Sequence, residues 1–165
     1  MCYTVCMQEI IINLFSGFPK ELATFFISMV PITELRASIP VAIVKWNIAP
    51  FWAFFWSVIG NTLMGSVVVL VVKPVTGLII NRMELLRKFW ERYINRIKTK
   101  NAEKFEKWGA IVLISFVAIP LPMTGAFTGA VAASIFQIPF KKAVPLLFAG
   151  CSIAGVIVTA ITLLF

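Results

Sequence analysis

Two proline-marked breaks in apolar segments, 89 residues apart, constrain this chain more than any other feature. The first reads Val30-Pro31-Ile32-Thr33-Glu34-Leu35-Arg36-Ala37-Ser38-Ile39-Pro40, and the second Ile119-Pro120-Leu121-Pro122-Met123-Thr124-Gly125-Ala126-Phe127-Thr128-Gly129. Pro31 and Pro120 open the breaks, and Pro50-Phe51 and Pro139-Phe140 follow each of them at the same distance of 19 residues. Proline has no N–H to give and its ring crowds the preceding turn, so each break interrupts a helix. Corresponding interrupted segments in two halves of a membrane chain point to a transport site.

Composition makes the membrane reading firm. The chain is 60% hydrophobic and 13% charged, with mean hydropathy +0.95, whereas charged residues make up about a quarter of a soluble domain. A spanning helix needs ~20 residues to cross a ~30 Å hydrocarbon core, so 165 residues hold only a handful of them. A chain this small is expected to assemble as a homo-oligomer, here a homodimer.

The net charge of +8 does not form a nucleic-acid face, because ten of the fifteen Lys and Arg fall between Lys73 and Lys107. That clustering is what the positive-inside rule puts in a short cytoplasmic segment. Cys2, Cys6 and Cys151 match neither a disulfide framework nor a metal-ligand spacing, and the chain has no His and no Asp, so neither a metal nor a cofactor is expected. The first seven residues carry no basic n-region or cleavage pattern, so the first hydrophobic segment is expected to stay in the mature protein; Met1 and Met7 both remain open as the start.

Along the chain, residues 7–16 form a short mixed run expected to lie as an interfacial helix, and Pro19-Lys20-Glu21 suits a helix start. The apolar run Leu22–Val30 ends at Pro31 after about half the length needed to span, and Ile39–Trp46 is shorter still. Two half-length arms joined by a polar, proline-containing turn describe a re-entrant hairpin, whose freed backbone at membrane depth must be surrounded by protein or a watery cavity. Pro50 to about Val72 is long enough to cross, with Trp46, Trp52 and Trp56 near its start as interface anchors. Gly60-Asn61 inside it pairs a site of close backbone approach with an amide that needs hydrogen-bond partners.

Residues 79–97 alternate apolar and basic positions at three- and four-residue steps, a basic amphipathic helix suited to anionic lipid head groups. Trp108–Val117 and Ala126–Phe136 then repeat the hairpin arms, and Lys141–Phe165 supplies a second crossing. The expected fold is therefore all-α and polytopic, with two inverted-topology repeats at about 7–73 and 108–165 joined by a linker helix at about 74–107. Each repeat comprises an interfacial helix, a hairpin and one spanning helix. This arrangement places the linker with Lys141 and Lys142 on the cytoplasmic side and Lys20 and Lys45 opposite, which obeys the charge rule better than four plain crossings.

Pro-x-x-Glu-Leu-Arg-x-x-Ile-Pro at 31–40, Gly60-Asn61, and Ile-Pro-Leu-Pro-x-Thr-Gly-Ala at 119–126 resemble the small multidrug export proteins, distant relatives of the DedA or VTT-type membrane proteins. The resemblance covers nearly everything from Leu22 onward. It implies paired re-entrant hairpins in an inverted repeat, and movement of lipid or a lipid-linked phosphate across the bilayer. DedA-type members carry arginine in the second hairpin, whereas Ile119 to Gln137 here holds no charge.

Glu34 and Arg36 are the only charges within the hairpin tips. An ionised group at the centre of a membrane helix costs ~2.5–3.5 kcal/mol even on the lenient insertion scale, so such groups face a partner or a cavity. Either Glu34 exchanges a proton or cation while the planar fork of Arg36 meets a phosphate, or the two form a structural pair that pins the tip. Thr33, Ser38, Thr124 and Thr128 add hydroxyls that would either meet cargo beside half-helix N-termini or satisfy the broken backbone. Asn61 completes the binding set, and Pro31, Pro40, Pro120, Pro122 and Gly125 mark the breaks. The stripe Gly125-x-x-x-Gly129-x-x-x-Ala133, with Ala126, Ala130 and Ser134 beside it, suits close packing against the other hairpin.

No nucleophile-base pairing supports an enzyme. The expected activity is transport of an amphipathic anion such as a lipid phosphate by alternating access, with proton or cation coupling. Multidrug export and uncoupled lipid scrambling are the alternatives. The expected partners are membrane lipids and a second copy of the chain, not nucleic acid.

Overall fold

The computed structural model describes residues 17–82, 110–118 apart from 112, 125–136 and 138–164. The expected interfacial helix at 7–16, most of the basic linker, and Pro120, Pro122 and Thr124 lie outside the described residues. Among the described residues every regular element is a helix.

Helix α1 (Lys20–Met29) starts behind Pro19 and stops at Val30, whose ψ of 125° is the extended conformation a following proline imposes. The chain turns through Pro31-Ile32-Thr33 and re-enters helix at α2 (Glu34–Pro40), so the return arm begins some five residues earlier than the apolar run suggested. The two arms pack side by side as a helical hairpin.

The chain does not break at Pro40, contrary to the sequence reading. Helix α2 runs through it and widens into a π turn, Val41–Lys45, closed by Trp46 N–H donating to the Val41 carbonyl at 3.1 Å. The helix carries on because proline forfeits one hydrogen bond, to the Arg36 carbonyl, while Val41 N–H still reaches the Ala37 carbonyl; the π turn lies beyond the proline. The arm then stops at Asn47, at φ 51°, a left-handed position that asparagine tolerates, with Ile48 N–H reaching back to the Ala42 carbonyl at 2.9 Å.

Helix α3 (Pro50–Arg82) runs on through Pro74, past the end expected near Val72. Its stretch Pro50–Val75 has mean hydropathy 1.9 over 26 residues, and α5 (Phe140–Leu164) reaches 2.3 over 25 residues. At ~1.5 Å rise per residue both exceed the ~30 Å hydrocarbon core, and large apolar side chains such as Leu70, Val71, Val156 and Leu163 stand exposed on their outer faces. Such surfaces belong in lipid.

Residues 110–111 and 113–118 are helical, and α4 (Ala126–Ile135) is a second half-length helix. Helix α3 is the central post, packed by α1, α2, α4 and α5. Glycines set the closest approaches. A side chain at Gly60 would overlap Ser28 and the Phe25 carbonyl of α1, and one at Gly150 would press on Val117 and the Ile114 carbonyl. Where α3 crosses α5, Gly65 faces Leu147 and Gly155 faces Val58, so the two long helices run antiparallel. Leu35, Ile39, Val58, Val69, Val117 and Leu147 form the core between them.

The two hairpins root at opposite ends of α3. The Lys20 ammonium donates to the Trp46 carbonyl at 3.0 Å beside the start of α3, and the Lys73 ammonium donates to the Ile138 carbonyl at 3.1 Å toward its other end. Glu34 and the start of α4 therefore both lie toward the middle of α3, near Asn61.

Candidate functional site

Glu34 is where the start of α2 meets the start of α4. Its side chain is 7% exposed, and its carboxylate accepts a hydrogen bond from the Phe127 backbone N–H in the first turn of α4. A Cβ at Gly125, the N-cap of α4, would overlap that carboxylate. One hairpin thus supplies an anion that sits on the helix N-terminus of the other, where free N–H groups and the helix dipole favour negative charge. Glu34 also stands at φ 46°, a left-handed backbone that a non-glycine residue adopts only at a cost of about 1–2 kcal/mol.

Arg36, two residues along α2, is half-buried and lies in the electrostatic field of Glu34. On α5 the buried Cys151 thiol lies in the same field, next to the Thr62 hydroxyl of α3. Thr62 makes no hydrogen bond of good geometry, the thiol being a weak partner.

The position of Asn61 follows from the Ser38–Ser57 bond, 2.7 Å between two fully buried hydroxyls. Helices α2 and α3 run antiparallel, so one turn toward the tip from Ser38 is Glu34, and one turn further along the same face of α3 from Ser57 is Asn61. Asn61 therefore stands at the level of Glu34. It is 2% exposed, and its Nδ2 has no hydrogen-bond partner.

The remaining expected site residues separate by role. Thr33 donates to the Ile27 carbonyl at 2.6 Å, so its hydroxyl repairs the broken backbone instead of facing cargo. Ser38 is committed to Ser57, one turn below the tip. Thr128, in the first turn of α4, is half-buried. The small-residue stripe is buried as expected, but against a different surface. Gly129 meets Val117 of its own hairpin and Leu147 of α5, and α4 packs chiefly on α3; the stripe reaches the other hairpin at its first turn, through Gly125 and Phe127. Ser57 and Thr62 were missed by the sequence reading, and Cys151 was read only as lacking a disulfide or metal-ligand spacing. For Ser57 a signal exists, since a serine in an apolar membrane helix needs an acceptor, but its partner is 19 residues away and no local pattern names it.

A family model described as "Putative small multi-drug export protein" matches residues 34–157. The chain belongs to that family. The match begins at Glu34 itself and runs through both tips and most of α5. No curated protein and no solved structure matches the chain. The family description is that of a multi-drug export protein, consistent with the two long apolar helices α3 and α5.

Proposed function

We propose that this small multi-drug export family member is a transporter that moves an amphipathic anion, such as a lipid phosphate, by alternating access at two re-entrant hairpins, with uptake of a proton or cation at Glu34 driving the cycle. The observation that carries the reading is the Glu34 carboxylate seated on the N-terminus of α4, midway along α3. A buried charge at that depth, shared between two hairpins rooted at opposite ends, suits a gate that both halves control.

Paired contacts support an inverted repeat. Phe25 and Ser28 against Gly60 correspond to Ile114 and Val117 against Gly150 at shifts of 89 and 90 residues. Gly65 on Leu147 and Gly155 on Val58 are the reciprocal contacts a pseudo-two-fold crossing produces. Inversion requires antiparallel α3 and α5, as observed. An anionic cargo suits the site because the N-terminus of α4 favours negative charge, Arg36 adds positive charge beside it, and the Asn61 amide is buried without an acceptor at the same level.

The test is flux in liposomes of purified protein, with a fluorescent short-chain phosphatidic acid, a cationic dye and an imposed pH gradient. Wild type is expected to move the phosphate with the gradient, and Glu34→Gln to lose gradient-driven flux while remaining folded. Arg36→Lys keeps charge but loses the bidentate fork and should weaken phosphate transport alone. Gradient-driven dye flux with no phosphate movement would establish the drug-export reading instead, and gradient-independent phosphate flux unaffected by Glu34→Gln would make the protein a scramblase.

A further inference from the structure

We infer that the Glu34 carboxylate is a built-in plug: it occupies the N-terminus of α4 in the place of the cargo's anionic group, so that cargo binds there only after Glu34 has left. This rests on the anion-transport reading and adds a competition between the protein's own carboxylate and the cargo. The two cannot share the site, because Gly125 already lacks room for a single Cβ beside the carboxylate.

A further observation at the same level points to a ligand other than Glu34. The Asn61 Nδ2 is buried with its hydrogens unspent. Buried donors left without acceptors are costly, about 1–3 kcal/mol each in mutational data. Glu34 in its present pose does not satisfy this one. A phosphate, with several acceptor oxygens, could take the Phe127 N–H and the Asn61 amide together, which one carboxylate held on the α4 terminus does not do. The backbone of Glu34 is itself strained at φ 46°, so displacement of the tip has a relaxed state to move toward.

Among the described residues, the titratable groups facing the carboxylate are Arg36 on its own helix and the Cys151 thiol on α5. Helix α3 presents uncharged Asn61 and Thr62, and α4 presents backbone N–H. Protonation of Glu34 weakens its hold on the α4 terminus while leaving the donors in place. Acidification should therefore strengthen anion binding to wild type.

The experiment is equilibrium binding of dodecyl phosphate to full-length protein in neutral detergent. Glu34→Gly is the informative variant, because glycine adopts φ 46° without strain and removes only the side chain. It should bind dodecyl phosphate about ten-fold more tightly than wild type or better, the size expected for removing one competing charge. Its binding should lose most of the acid dependence seen in wild type, and Asn61→Ala added to it should cancel the gain. Glu34→Gln, which keeps the tip's shape without the charge, should lie between, and serves if the glycine variant folds poorly. Wild type binding the phosphate with no gain in either Glu34 variant would overturn the plug and leave the transport reading standing. Absence of phosphate binding by every protein, with a cationic dye bound, would overturn both.

Discussion

A glutamate at φ 46° on a hairpin tip is in the wrong backbone for its side chain, and the carboxylate's seat on the α4 N-terminus is what holds it there. Gly125 is the other half of that fit. Gly125→Ala should drive the carboxylate off, costing about 1–3 kcal/mol in the manner of an overpacked site. The same substitution should cost little in a Glu34→Gly background, where the overlapping atoms are gone. Thermal unfolding of the four proteins of this cycle in detergent measures the coupling, and additive losses would mean that the two residues do not touch. Glu34, Arg36, Asn61 and Gly125 could be singled out in the sequence because charge, amide and glycine are rare in apolar runs and each demands an explanation. What could not be read was the partnership. The donor to Glu34 is a backbone N–H of Phe127, and every residue has one, so no pattern of side chains announces it.

At the level of elements, half-length arms were legible from proline spacing, since Val30 before Pro31 is forced out of helix by sterics alone. Pro40 was not, because the same chemistry has two outcomes: a break, or a helix that continues past the ring one hydrogen bond short. Packing on α3 decides between them, and the Ser38–Ser57 hydrogen bond is part of that packing, fastening the arm just before the proline. Ser38→Ala and Ser57→Ala should each destabilise the protein by about 0.6–1.7 kcal/mol, the range of interhelical hydrogen bonds in membranes. The double variant should lose less than the sum, since either substitution alone breaks the bond. Full additivity in the unfolding midpoint would show that the hydroxyls contribute through separate contacts. The stripe of small residues teaches the complementary lesson. Its burial was legible from spacing, but spacing says that something packs closely and not which helix does so.

For the whole molecule, the charge distribution and the contact geometry bear on the same question from independent directions. Lys20 and Lys45 belong to the hairpin rooted at the start of α3, whereas Lys73 holds the loop before α5, whose first turn carries Lys141 and Lys142. Only three of these five residues lie at the end of α3 that leads into the basic segment ending at Lys107, which holds most of the remaining Lys and Arg. The positive-inside rule predicts that end on the cytoplasmic side. If the hairpins are re-entrant, α3 is the one crossing between Asn47 and Lys142 and they face opposite sides of the membrane; if the arms at 110–118 and α4 together made a single crossing, the two positions would share a side. The packing argues for the first case, because α1 and α2 lie side by side instead of end to end, and Val117 lies against Gly129 of α4. Single cysteines at positions 47 and 142, in a background lacking Cys2, Cys6 and Cys151, should react with an impermeant maleimide from opposite sides of oriented vesicles, position 142 from the cytoplasmic side. Labelling of both from one side would remove the inverted repeat, and with it the symmetry that brings two tips to a shared site at Asn61.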